Sequence, residues 1–309
     1  MTAHEKVLVT GGAGFIGSRV VRMLSDRGAA VAVIDNLASG LAMPKVAARA
    51  VVADIRNAER VEAVCRAFKP TAIVHLAAVH HIPTCEELRA HSLDVNIVGT
   101  ETVLKAAERS GVGKVVLASS GAVYAWDDAP LDEEATQIAV ADNYSLAKVA
   151  NEHQAKLWSA RCGGIARIGR IFNTIGTGDP NAHLIPDILD QISRNQAEVS
   201  LGNLTPKRDY VYVDDVATAL IALLDDERSA ARVDVFNICS GTEISVDGLA
   251  QEIALLLGRS IRVKSVAARA RQVDRPRQLG SNRKLASTLG WKPAWTLRAS
   301  LQAIVAGMG

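Results

Sequence analysis

Apolar residues in this chain come in short unbroken runs, separated by stretches where they recur every three or four positions. Residues 7–10 form the first run and lead into glycines. From Phe15 onward, Ile16, Val20, Val21 and Leu24 share one face of a helix that Gly28 stops. A second run at 31–34 ends at Asp35. Strand, glycine turn, helix and strand make a βαβ unit, whose parallel strands are joined by a right-handed crossover. The alternation continues with a strand at 51–52 ending near Asp54, a helix at 58–68, a strand at 72–76, a helix at 88–110, a strand at 114–119, a helix at 144–162 and a strand at 165–172. Runs with little in–out alternation suit a parallel sheet covered by helices on both faces. The expected architecture is α/β, a doubly wound parallel sheet.

Beyond residue 173, glycine, proline and asparagine surround one helix at 185–196. Strands follow at 210–213 and 235–239, with a helix at 216–225 between them. The tail from Ser245 offers a helix, a strand at 261–266, a basic loop and a short last helix. This pattern predicts a sheet domain of residues 1–173, to which 208–240 return, and a smaller interleaved lobe over 174–309. Of the 309 residues 35 are basic and 33 acidic, so the clustered positive excess of a nucleic-acid or membrane-surface protein is missing. Cys65, Cys85, Cys162 and Cys239 lack the spacing of a metal knuckle or redox pair. They are expected to be reduced and at least half-buried, with no metal site. The apolar stretch at 216–224 is too short to span a bilayer, and the first residues carry no signal pattern, which makes the cytoplasm the expected compartment.

Chemistry enters with the turn Thr10-Gly-Gly-Ala-Gly-Phe-Ile-Gly17. Glycines there let the backbone approach a pyrophosphate, and the following helix offers N–H groups and the positive end of its dipole. Asp35, ending the next strand, suits the adenosine ribose hydroxyls and repels a 2′-phosphate, which favours NAD over NADP. Asp54 ends another strand on the edge where ligands collect in such sheets. Farther on, Ser119 and Ser120 close a strand, and Tyr144 and Lys148 are four apart at the start of a helix. A free tyrosine has a pKa of about 10, too high for a base at neutral pH. A nearby ammonium and a positive nicotinamide ring favour the phenolate.

Together these landmarks resemble the extended short-chain dehydrogenase/reductase family, in its NAD-dependent nucleotide-sugar epimerase/dehydratase branch, of which the UDP-glucose 4-epimerases are a well-known type. The resemblance rests on TGGAGFIGS (10–18), VIDNLASG (33–40), HLAA (75–78), DVNIVGT (94–100), SSGAVY (119–124), YSLAK (144–148), RIFN (170–173), RDYVYVDDVA (208–217) and LGWKP (289–293). It implies a Rossmann domain that binds NAD and a lobe that binds a nucleotide sugar, most often a UDP-sugar. It assigns the pyrophosphate turn to Gly11, Gly14, Phe15, Ile16 and Gly17, the adenosine ribose to Asp35 and Asn36, and the adenine to Asp54 and Ile55. Leu76, Ala77 and Ala78 would line the cofactor cleft, and Asn96 would sit under the nicotinamide half. Ser120 would bond the reacting hydroxyl, Tyr144 would be the acid/base, and Lys148 would hold the nicotinamide ribose. Asn173, Arg208 and an arginine of 269–277 would bind the diphosphate, and counting back from Lys284 selects Arg271. His80, His183 and Leu184 fall at substrate positions, and a homodimer through 91–110 and 144–162 is the family habit.

Several positions depart from the pattern. His80 stands where a lysine is frequent and is followed by His81, Ile171 replaces a tyrosine, and residues 202–208 are similar to GDP-sugar enzymes. Dehydratases of the family carry Asp-Glu after the serine or threonine, where this chain has Gly121 and Ala122. That points to C4 epimerisation through transient oxidation. A 4,6-dehydratase, decarboxylase or 4-ketoreductase is the alternative reading, and a non-catalytic NAD-binding protein a further one.

Overall fold

The computed structural model describes residues 6–180, 184–194, 197–270 and 274–307. The chain begins with β1 (Lys6–Thr10), α1 (Phe15–Asp26), β2 (Ala30–Asp35), β3 (Arg49–Val52), α2 (Ala58–Phe68) and β4 (Ala72–His75). Next come α3 (Ile82–Glu87), α4 (Arg89–Leu93), a π-helical turn (Asp94–Val98), α5 (Gly99–Arg109), β5 (Lys114–Ser120), α6 (Asn143–Cys162) and β6 (Ile165–Ile171). The remainder contains β7 (Asn173–Ile175), α7 (Leu184–Ser193), β8 (Glu198–Leu201), β9 (Lys207–Tyr212), α8 (Val213–Leu224), β10 (Val233–Ile238) and β11 (Glu243–Ser245). It closes with α9 (Val246–Leu256), β12 (Arg262–Ser265), β13 (Arg277–Gln278), α10 (Arg283–Leu289) and α11 (Leu297–Ala306).

Seven parallel strands form the large sheet in the order β10-β6-β5-β4-β1-β2-β3. Its unbroken apolar runs are explained by which layer each residue meets. Val7 and Val9 pack with α1 and α8, through Val20, Leu24, Val216 and Leu220, while Leu8 between them packs with α2, α5 and α6, through Val61, Leu104 and Trp158. Both faces are covered, so neither needs polar residues. Strand order reverses between β1 and β4, and a crevice opens there beyond their carboxyl ends. Loop chemistry sets where the helices stop and start. Asn57 accepts a bond from the Arg60 N–H to open α2, and Gly163, at φ +74°, ends α6 in the left-handed region.

The smaller lobe has its own core, in which Ile188, Leu189, Val199, Ile253 and Leu301 join α7, α9 and α11 to β8. Its strands are short: β9 pairs with β7, β11 and β13, and β8 pairs with β12. β9 spends its hydrogen bonds inside the small sheet, while its Val211 already packs in the core of the large sheet ahead of α8. The helix expected over 88–110 is divided. The wide turn at Asp94–Val98 accommodates Asn96, whose side chain bonds Val79 and whose carbonyl accepts from Asn151 and Thr100. Cys162 is exposed, whereas Cys65, Cys85 and Cys239 are buried, and all four are free thiols. No described helix is long and apolar enough to cross a membrane.

Candidate active site

The crevice at the β1/β4 reversal widens into a cleft of about 1590 Å³ that reaches into the small lobe. A single small-molecule pocket measures roughly 300–1,000 Å³, so this one has room for two ligands end to end. One end is the glycine turn. Gly11 has φ +71°, and a Cβ on it would lie 2.7 Å from the Ala77 backbone nitrogen. Gly14 precedes α1 in extended conformation, and no side chain caps that helix. Gly14, Phe15, Ile16 and Gly17 line the cleft, so the positive end of α1 faces it.

Asp35 closes β2 and is buried; its carboxylate accepts from the Ala13 N–H at 2.9 Å and from the Leu37 N–H at 2.7 Å. The carboxylate thus pins the glycine turn and still lines the cleft with Asn36 and Ile55. Asp54 does neither. Arg56 takes both its oxygens, at 2.9 and 2.7 Å, and bonds Asp94 as well, which holds the Asp54 carboxyl below its ordinary range. Of the pair assigned to adenine, Ile55 alone reaches the cleft. Asn96 is likewise not on the cleft wall. It is 1% exposed and its amide is consumed by the Val79 backbone, so it shapes the loop containing Ala78 from behind.

Ser120, Tyr144 and Lys148 meet at the middle of the cleft. A capping box places Tyr144 in the first turn of α6: Asp142 accepts from the Ser145 N–H at 2.6 Å, and Ser145 Oγ accepts from the Asp142 N–H at 3.0 Å. Lys148 lies one turn on, with Nζ 5.7 Å from the Tyr144 ring centre and donating to the Ala118 carbonyl at 2.9 Å. Ser120 ends β5, and its hydroxyl accepts from the Ala122 N–H at 3.2 Å. Burial pushes the Tyr144 phenol up to about 12, partly offset by its bond with the Ser120 hydroxyl, and pushes Lys148 down to about 8. In the protein alone, desolvation thus holds the phenol above its ordinary value.

Leu76, Ala77, Ala78, His80, Asn173, Leu184 and Arg208 also line the cleft. Arg208 pairs with Asp274 at 2.5 Å, and Asn173 donates to the Asp209 carbonyl at 3.0 Å. His183 and Arg271 lie outside the described residues. Sequence reading missed Asp142 and Asp274, and covered Arg275, whose Nη2 donates to the Ala122 carbonyl at 2.7 Å, only as one of the arginines of 269–277. Asp142 had a legible signal, an N-cap carboxylate three residues before Ser145. The other two had none, because their partners Arg208 and Ala122 lie 66 and 153 residues away in the chain.

A cradle of this kind has known counterparts. The model of the NAD dependent epimerase/dehydratase family matches residues 7–239. The chain belongs to that family. It is 33% identical to a putative UDP-glucose 4-epimerase of Methanocaldococcus jannaschii over 97% of both chains. To the GDP-6-deoxy-D-mannose reductase of Pseudomonas aeruginosa it is 32% identical, over 76% of this chain and 79% of the other. Among solved structures, the UDP-glucose 4-epimerase of Thermus thermophilus in complex with NAD superposes with a TM-score of 0.88 at 30% identity, covering 98% of each. The cofactor of this epimerase/dehydratase chain is NAD, and the uncapped α1, the glycine approach to Ala77 and the carboxylate of Asp35 fit it. Asp35→Ala is expected to weaken NAD by about tenfold, the scale of a lost bond to a charged group, and to raise the NADP-to-NAD affinity ratio. Binding titrations with both dinucleotides measure this, and an unmoved ratio would take the ribose away from Asp35.

Proposed function

We propose that the protein is a nucleotide-sugar 4-epimerase acting on a UDP-sugar of the glucose/galactose or glucuronate type. One observation carries the reading: Ser120, Tyr144 and Lys148 share the cleft, and Ser120 is followed by Gly121 and Ala122, so the two residues after it bring no carboxyl group. A Cβ on Gly121 would lie 3.1 Å from the Phe172 ring, which leaves little room for a larger residue.

Bound NAD supplies hydride acceptance from sugar C4 and its return. The chain supplies the rest. Tyr144, ionised by the Lys148 ammonium together with the positive ring of bound NAD, takes the O4 proton and gives it back, while the Ser120 hydroxyl orients O4. Lys148, fixed on the Ala118 carbonyl, keeps a positive charge beside the phenol. Asn173 and Arg208 anchor the diphosphate, with Leu184 and His80 on the sugar side, and binding energy remote from C4 aligns the reacting carbon. Residues 1–173, to which 208–240 return, form the cofactor half, and the small lobe forms the substrate half. A homodimer through α5 and α6 is supported by Val98, Leu146 and Leu157, which are 51%, 40% and 58% exposed beside or on those helices. We place the enzyme in the cytoplasm, where nucleotide sugars and NAD meet.

Similarity to a GDP-sugar reductase favours a second reading, reduction of a 4-keto sugar. Turnover of UDP-glucose and UDP-glucuronate in heavy water separates the readings. Epimerisation gives product inverted at C4 with no deuterium at C4 or C5. Solvent deuterium at C5 of the product from UDP-glucose, or an accumulating 4-keto-6-deoxy sugar, would instead establish dehydration, and net reduction of added NAD, the reverse of 4-keto reduction, a reductase.

A further inference from the structure

Behind the catalytic group lies a second polar cluster sealed from solvent. Ser119, Glu152 and Arg170 are 2%, 4% and 4% exposed, and Tyr124 is fully buried. Ser119 Oγ donates to Glu152 Oε1 at 2.6 Å. Arg170 grips the same carboxylate with two bonds, Nε to Oε1 at 2.9 Å and Nη2 to Oε2 at 2.8 Å. The guanidinium is itself fixed. Its carbon lies 4.7 Å from the Tyr124 ring centre, and the Tyr124 hydroxyl donates to Asn237 on β10 at 2.7 Å. A carboxylate held on both oxygens by a planar fork has one position available to it.

That position matters because of what it touches. Glu152 follows Lys148 by one helical turn, and Lys148 follows Tyr144 by another, so the three share a face of α6. Lys148 holds the Ala118 carbonyl and Glu152 holds the Ser119 hydroxyl, so α6 takes hold of consecutive residues of β5. The next residue is Ser120. Ser119 and Arg170 are also register partners across β5 and β6. We propose that Glu152 is a positioning residue for the reaction: its carboxylate, clamped by Arg170, sets Ser120 against Tyr144 and holds a negative charge one turn from the Lys148 ammonium.

Other groups around Lys148 supply no such charge. Burial pushes His75, at the end of β4, down to about 3 and raises the Cys85 thiol of α3, while the Tyr144 phenol stays protonated, so all three are neutral near pH 7. The proposal rests on the epimerase reading for its rate consequence but not for its electrostatic one. Ser119→Ala deletes the grip on β5 and keeps the ion pair. Its kcat is expected to fall about tenfold through misplacement of Ser120, with KM, bound NAD and the Lys148 titration unchanged. Glu152→Gln is expected to lose at least as much kcat. It should also move the Lys148 midpoint to lower pH, read by NMR of isotope-labelled lysine with Lys148→Met for assignment. A wild-type kcat in Ser119→Ala, or an unmoved Lys148 midpoint in folded Glu152→Gln, overturns the proposal. Should Glu152→Gln fail to fold, Ser119→Ala decides. Should the wild type turn over no nucleotide sugar, the epimerase reading falls, and the titration, which needs no substrate, decides this one.

Discussion

Tyr144→Phe is expected to lower turnover about a thousandfold, within the range for loss of a general acid/base, while the fold and bound NAD persist. The substitution removes one oxygen from a ring held by the first turn of α6. The capping box of Asp142 and Ser145 does not involve the phenol, so the helix start is unaffected. Lys148 keeps its bond to Ala118, and the Phe ring offers the same face to the ammonium. What disappears is the proton carrier for O4 and the partner of the Ser120 hydroxyl. Steady-state kinetics with the preferred nucleotide sugar, the absorbance of retained cofactor and the melting temperature check the three parts. A kcat within a few-fold of wild type would remove Tyr144 from the mechanism.

Gly17→Ala is the second large effect, and it acts through backbone. A Cβ on Gly17 would lie 2.0 Å from the Gly11 carbonyl oxygen and 2.8 Å from Gly12 Cα. Neither atom belongs to a flexible side chain, so the turn must open and α1 must retreat from β1. Overpacking of this kind costs about 1–3 kcal/mol, and NAD affinity is expected to drop about a hundredfold because the pyrophosphate loses its cradle. Gly113→Ala is the control. It has no positive φ, and its nearest neighbour to a new Cβ, the Thr71 carbonyl, is 3.8 Å away. Calorimetry and NAD titration of the two variants give the contrast, and equal behaviour would show that the turn tolerates a side chain.

The large sheet was legible because its strands are apolar on both faces and its helices on one, as in β1 and α1. Ala58–Phe68 was read to the residue, since Asn57 and a left-handed Lys69 bound it tightly. The small strands β7, β11 and β13 were not, because two or three residues carry no period and exist only through pairing with β9. The site divides in the same way. Ser120, Tyr144 and Lys148 lie near element ends that the pattern marks, and all three reach the cleft. Asp54 and Asn96 sit in equally recognisable motifs but point elsewhere, drawn off by Arg56 and by the Val79 backbone. Nothing in one dimension announces those partners, which are side-chain choices made after the backbone is in place.

The late return of α8 and β10 to the large sheet has a consequence for synthesis. A nascent chain that ends at residue 173 has already made six of the seven strands, yet β6 presents a bare edge where β10 belongs. Val20, Val21 and Leu24 on α1 likewise lack the cover of Val216, Leu220 and Leu223. Until about residue 238 has left the ribosome, the cofactor half is an open-sided sheet with an apolar flank, the kind of surface that invites association with other chains. Closure by β10 precedes α9 and α11, so the core of the small lobe, which needs Ile253 and Leu301, is completed only after the sheet has its seventh strand.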